Sequence, residues 1–266
     1  MPELAEVETW RRLVRSTVIG KTITAVTTAN DSLVMDVASP TQIRSFLYGK
    51  TIDDCHRKGK HLWMTFDGPG HLYVHFGMSG SFQYYTTLQD APSHEKLVLQ
   101  FADGSFLSYR NPRRIGRLRI FPDASQCESV ARLGPDPYLD SLDADEFMVR
   151  FHNKKQPVKS MLLDQRYFAG VGNWIADEVL YQAKLNPFTP CCDLSRDEIQ
   201  LLIDRLQDII TLAIDVAADD TRFPKTWLFH YRWGKKATST FQGENIQFDT
   251  IGGRTCAWVP SCQNPG

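Results

Sequence analysis

The sequence predicts an α+β chain of two domains: a β-sandwich or barrel led by one helix, then a helical domain that closes with a short hairpin. Three observations predict it. Short runs of period two, rich in β-branched and aromatic residues, fill the first half. Apolar stripes of helical period fill residues 145–213. Between them lies GPDPYLDSLDAD (134–145), rich in Pro and Asp, which reads as a linker. The division expected is 1–132, a linker at 133–145, a helical domain at 146–226 and a terminal hairpin region at 227–266.

In the first domain, residues 3–19 read as an amphipathic helix. Val7, Trp10, Val14 and Thr17 share a face, Leu13 and Val18 flank it, and Gly20 stops it. Strands follow at TITAVTTAN (22–30), HLWMTF (61–66), HLYVHF (71–76), KLVLQF (96–101), SFLSYR (105–110) and RLRIF (117–121). Asp103-Gly104 is a strong hairpin turn. In the second domain, helices are expected over 145–152, after Pro157, over 173–184 and from Ser195. Glu198 completes a capping box with Ser195. Ile199, Leu202, Ile203, Leu206, Ile209, Ile210 and Ala213 give the last helix its stripe. FAGVGN (168–173) is either an ordinary helix–helix turn or a turn whose backbone amides approach a phosphate, with Asn173 at the helix start. In the tail, ENIQFDT (244–250) and RTCAWV (254–259) read as strands joined at Gly252-Gly253, with Arg254 just past the turn.

Composition narrows the function. The chain has 266 residues, 42% hydrophobic, enough for one large core or two smaller ones. It has no run of about 20 apolar residues and no secretory layout at the N-terminus, so an intracellular protein is expected. None of the six cysteines forms a C-x-x-C pair, so a four-cysteine zinc ribbon is not supported. Net charge is −1, but basic residues cluster. RNPRRIGRLR (110–119) carries five arginines without an acid. Further knots are Arg57, Lys58 and Lys60; Lys154, Lys155 and Lys159; and Arg232, Lys235 and Lys236. Acids collect at 136–146 and 215–220. Such knots mark either a nucleic-acid surface or solvated turns.

Met1-Pro2-Glu3 is the start with chemical content. Removal of Met1 leaves Pro2 with a terminal secondary amine, which attacks an electrophilic carbon and collapses to an iminium. A terminal amine titrates about two pH units or more below lysine, so more of it is neutral near pH 7. Glu3 is placed to give or take a proton. Proline in the first turn of a helix is equally ordinary.

MPELAEVET (1–9), RKGKHL (57–62), HFGMSG (75–80), NPRRIG (111–116), FAGVGNWIADEVL (168–180) and GGRT (252–255) together resemble the formamidopyrimidine-DNA glycosylase (Fpg/Nei) family of base-excision repair enzymes. The motifs occur in the family's order and span almost the whole chain. The resemblance implies a β-sandwich with a leading helix, a helical domain with a helix-two-turns-helix motif, a terminal hairpin finger, and DNA across the cleft between domains. It implies excision of an oxidised purine, then strand cleavage at the abasic site. By that resemblance Pro2 is the nucleophile at the sugar C1′ and Glu3 the general acid/base. Lys60, Asn173 and Arg254 hold backbone phosphates, and Lys159 lies near the damaged nucleotide. Met78, Arg113 and Ile115 fill the gap left by the flipped nucleotide. The partner is double-stranded DNA with an oxidised base, met by a monomer, in the nucleus of a eukaryote or at the nucleoid of a bacterium. No cofactor is implied.

Departures from the family's pattern refine this. Ile115 stands where the family commonly has Phe, replacing a stacking wedge with an aliphatic one. The finger has only Cys256 and Cys262, with KKATST (235–240) upstream, which resembles the zincless finger of plant and fungal members. Arg254 must then be held without metal, through Phe248 and Trp258. The stretch 217–227 is short where bacterial members have a lesion-covering loop, so formamidopyrimidines and hydantoins are expected to be better substrates than 8-oxoguanine. The competing readings are a non-catalytic damaged-DNA-binding module of the same fold, a tautomerase using Pro2 as base, and an arginine run that is only a scaffold face paired with the acidic linker.

Overall fold

The computed structural model describes residues 2–123, 127–234, 239–240 and 242–263. Met1 and residues 235–238 of KKATST lie outside the described residues. The chain splits into two compact units. One holds Pro2 and Glu6–Arg132, the other Glu3–Ala5 and the chain from Leu133.

The N-terminal unit follows from the alternation in the sequence. Helix α1 (Leu4–Thr17) buries Val7 and Val14, and Gly20 ends it in the left-handed region, its amide donating to the Ile52 carbonyl. The strands are β1 (Ile23–Thr28), β2 (Ile52–Lys58), β3 (His61–Phe66), β4 (His71–His75), β5 (Ser81–Tyr85), β6 (Glu95–Phe101), β7 (Phe106–Arg110) and β8 (Arg117–Phe121). They form two four-stranded antiparallel sheets, ordered β1-β6-β7-β5 and β2-β3-β4-β8. One core is shared by Ile23, Leu99 and Leu107 of the first sheet, Leu62, Val74 and Leu118 of the second, and Val7, Val14 and Val18. This is the sandwich expected, with two strands, β2 and β5, and helix α2 (Pro40–Leu47) added. Helix α2 opens with a Ser39–Gln42 capping box and Pro40 in its first turn. A short helix, α3 (Glu128–Ala131), ends the unit.

In the C-terminal unit, α4 (Ala144–Phe151) is capped by Asp143, α5 (Val158–Leu163) starts after Pro157, and α6 (Asn173–Gln182) follows the glycine turn. Ser195 and Glu198 cap α7 (Arg196–Asp215), whose seven predicted stripe residues are all buried. Helix α6 is buried from Trp174 to Tyr181. The hairpin is β9 (Gln247–Ile251) paired with β10 (Arg254–Trp258), and α8 (Pro260–Gln263) closes the described chain. The start of the expected linker is packed. Gly134 donates to Gln165 and Ala169 donates to Pro135, and a Cβ on Gly134 would lie 2.2 Å from the Arg166 oxygen. Its polarity misleads because Asp136, 1% exposed, turns inward and accepts from Tyr138.

Candidate functional site

Glu3 is 1% exposed in the C-terminal unit. Its carboxylate accepts from the backbone amides of Trp174 (2.9 Å) and Ile175 (3.2 Å), at the start of α6. Helix amides and dipole both favour a carboxylate there, and charge-assisted bonds are the strong ones. The Leu4 amide adds a bond to the Gly170 carbonyl. Gly172 makes room: a Cβ there would sit 2.2 Å from Cδ of Glu3. Two amides that a phosphate could have used are therefore taken by Glu3. Gln165, which sequence reasoning missed, braces the turn by accepting from Gly170 and donating to Val171. Asn173 is half-buried, and its Oδ1, although buried, has no hydrogen-bond partner. A buried polar atom left so is uncommon and calls for a partner from outside the chain, water or ligand.

Lys159, expected near the damaged nucleotide, is fully buried, and its ammonium is ion-paired with Asp177. Asp177 also accepts from Arg232 and from the Ala257 amide of β10. Arg254 is exposed, just past Gly252 and Gly253, whose φ of 58° and 73° suit a two-residue hairpin turn. Phe248 packs partly buried beside Ala257, and Trp258 donates to Asp249 and meets Phe188 edge-on. Cys256 is buried, which pushes its thiol up to about 12, and Cys262 is half-buried beside the Val259 carbonyl.

In the N-terminal unit, Lys60 occupies the turn between β2 and β3. Arg57 fixes this turn by donating to the Gly59 carbonyl (3.0 Å), and the buried Glu8 of α1 fixes Arg57 (2.9 Å). Neither tie was read from the sequence. Beside the turn, burial pushes His61 down to about 3 and His75 to about 4, with Lys60 and nearby arginines adding to it. Neutral His75 accepts from the Gly77 amide, and so holds the start of the Met78 loop.

The structure brings Met78, Arg113 and Ile115 onto two touching loops. Met78 is 38% exposed, Ile115 40%, and Arg113 is exposed with its amide on Ser79. Asn111, fully buried and also missed, joins the loops. It donates to the Phe76 carbonyl and the Tyr109 hydroxyl and accepts from the Ile115 amide. Gly77 permits the contact, since a Cβ there would meet Ile115 backbone at 2.7 Å. The arginine run is largely neutralised inside the unit. Arg114 makes two bonds to the buried Asp31 (2.8 and 3.0 Å), and Arg119 and Arg117 pair with Asp36. Burial alone would raise Asp31, but Arg114 and Lys96 outweigh it and bring it down to about 2. These three arginines are thus tied inside the unit, but to Asp31 and Asp36 and not to the linker acids that the scaffold reading named.

Comparison with known proteins agrees with this layout. The formamidopyrimidine-DNA glycosylase N-terminal domain matches residues 1–118, and the H2TH domain of the same enzymes matches 133–225. A formamidopyrimidine-DNA glycosylase of Arabidopsis thaliana is 37% identical over 276 residues, 99% of this chain and 71% of its own length. The chain belongs to the formamidopyrimidine-DNA glycosylase family. A bacterial member, from Cytobacillus firmus, is 28% identical over 99% of this chain and all of its own. Among solved structures, the Lactococcus lactis enzyme bound non-covalently to DNA with an abasic site aligns with a TM-score of 0.85 at 27% identity, over 98% of this chain and 99% of its own. A variant of that enzyme with DNA containing a formamidopyrimidine aligns at 0.86 and 28%, over 99% and 100%. Among family features, the four-cysteine finger does not fit here, because the stretch after Trp227 offers only Cys256 and Cys262. No described helix is long and apolar enough to cross a membrane.

Proposed function

We propose that this family member is a bifunctional DNA glycosylase and abasic-site lyase that removes oxidised purines from duplex DNA. The observation that carries the reading is the seat of Glu3. The residue bonded to Pro2 has its carboxylate locked on two helix amides, so its position is set before substrate arrives. On a chain freed of Met1, the Pro2 amine attacks C1′ of the flipped nucleotide. The N–C1′ bond forms, and the proton lost by the amine passes to Glu3. Glu3 returns it to the sugar ring oxygen as the ring opens. The base leaves with the electrons of its bond to C1′, and the iminium makes the neighbouring C–H acidic enough for elimination of the 3′ phosphate.

The other residues serve to present that nucleotide. Rotating it out of the duplex costs a few kcal/mol in stacking and pairing. Lys60, Asn173 and Arg254 offset this by holding phosphates. Met78, Arg113 and Ile115 enter the gap, Met78 because an unbranched apolar chain fits an irregular space and Arg113 because it donates to the orphaned base. The division of labour follows residues 1–132 for the nucleophile domain, 146–226 for the helix-two-turns-helix and 227–266 for the finger. The protein acts as a monomer wherever its DNA lies, nucleus or nucleoid. The short 217–227 stretch favours formamidopyrimidines and hydantoins over 8-oxoguanine, and equal single-turnover rates on all three would refute that preference.

Borohydride trapping tests the chemistry. With formamidopyrimidine-containing duplex the protein is expected to form a covalent adduct, lost when the Pro2 amine is blocked. Tight binding with no adduct would favour a binding module of the same fold instead.

A further inference from the structure

Inside the C-terminal unit, a charged cluster takes no part in the chemistry above. Asp177 of α6 is 1% exposed. Oδ1 takes the ammonium of Lys159 from α5. Oδ2 takes Arg232 at 2.6 and 3.0 Å and the Ala257 amide at 3.3 Å. The Cys256 thiol lies against the same carboxylate. Arg232 reaches on to the Asn173 carbonyl (3.4 Å) and lies over the Trp233 ring. Three elements distant in sequence thus converge on one side chain. A two-stranded hairpin is marginal by itself, and among the described strands β9 and β10 pair only with each other. Its register against α6 must come from such a tie. A backbone amide bound to a doubly paired carboxylate supplies it, because a buried charge cluster tolerates few geometries.

We propose that Asp177 is the positioning residue of the hairpin and thereby of Arg254, three residues before the anchored Ala257 on the same strand. The proposal rests on the reading of Arg254 as a DNA-backbone contact. Lys159 and Arg232 act through Asp177, as the counter-charges to its buried carboxylate.

The test uses the full chain, as Asp177→Ala and as the charge-reduced double variant Asp177→Asn with Lys159→Met. Site-resolved hydrogen exchange reads the hairpin through the Cys256 amide, while that of Cys191, equally buried in the same unit, reads general unfolding. The Cys256 amide is expected to exchange about tenfold faster or more in both variants, with Cys191 still protected. Affinity for duplex carrying a tetrahydrofuran abasic analogue is expected to fall about tenfold, as for Arg254→Ala. In an Arg254→Ala background the Asp177 change should add almost nothing, and trapping at saturating DNA should change less than about twofold. Cys256 staying protected in both variants, or Cys191 opening with it in both, overturns the proposal. So does an affinity loss that adds in full to that of Arg254→Ala. If Arg254→Ala alone leaves affinity unchanged, the DNA reading of Arg254 fails, and hydrogen exchange alone then decides the anchoring.

Discussion

Gly172→Ala is the sharpest probe of the Glu3 seat, because it replaces no reacting residue and presses directly on the Glu3 carboxylate. The backbone tolerates the change, since Gly172 has φ −123°, open to any residue. The added methyl is the problem, because its carbon would lie 2.2 Å from Cδ and 2.4 Å from Oε1 of Glu3. Ordinary carbon contacts begin near 3.5 Å, so the carboxylate must retreat by roughly 1 Å. That breaks the bond to Trp174, to Ile175, or both. A hydrogen bond to a charged group contributes about 1.5–3 kcal/mol, so stability should fall by about 2–5 kcal/mol. A misplacement of about 1 Å at a reacting group costs about a hundredfold in rate. Single-turnover excision of formamidopyrimidine should therefore fall by about that factor. Cleavage of a preformed abasic site, which needs the amine more than the acid, should fall less. Thermal unfolding run in parallel shows whether the variant is folded. A folded Gly172→Ala chain that excises within about twofold of the parent would refute the role given to this seat.

Further outcomes follow from the buried polar groups. Asn111→Ala should cost about 2–4 kcal/mol, because it leaves the Phe76 carbonyl and the Ile115 amide without their partner. It should also level excision rates across the four opposite bases; a parent-like ratio in a folded variant would count against the loop assignment. Glu178 is buried, which raises its carboxyl to about 7, although Gln182 and the Phe229 amide bind it. The folded chain then keeps a proton that the unfolded chain loses near 4.5, so the stability Glu178 confers is full at low pH and lost as pH rises through about 7. Urea unfolding at pH 5 and 8 should show this decline, on the order of 2–3 kcal/mol, and Glu178→Gln should remove it. In the other unit, His61 and His75 work in the opposite direction. With folded values near 3 and 4, they confer stability above about pH 6.5 that is lost as pH falls toward 4, which unfolding of His75→Gln against the parent would reveal.

The sequence revealed the parts of this molecule whose causes are local. Ser195 with Glu198, Asp103-Gly104 and Gly252-Gly253 each carry their own turn or cap chemistry, and each marks an element end as expected. Helix α2 carries the same local chemistry, since Ser39 and Gln42 form a capping box beside Pro40, but only Ile43 and Leu47 are buried in it, too few to make a helical stripe. Strand β2 hid because IDDCHRK is mostly charged, and only its pairing with β3 makes it a strand. The site divides along the same line. Motifs named Glu3, Asn173, Met78 and Ile115, but the groups that hold them are set by folding. Asp31 and Arg114 lie 83 residues apart, Glu8 and Arg57 49. The burial of Lys159 has the same cause: Asp177 lies eighteen positions further on, and no local pattern announces that one lysine of a basic knot will turn inward while Lys154 and Lys155 stay exposed.

The pairing of Arg114, Arg117 and Arg119 with Asp31 and Asp36 has a consequence for how the protein searches DNA. Each phosphate neutralised by a free cation releases about 0.9 counterion, and that release governs sequence-independent sticking. An arginine already matched by a carboxylate releases little. The run at 110–119 therefore adds much less to generic attraction than its five charges suggest. It is a stiff mount for Arg113 and the residues beside it. Weak adhesion through this strand would let the protein leave undamaged sequence quickly, keeping long residence for places where a base has already come loose.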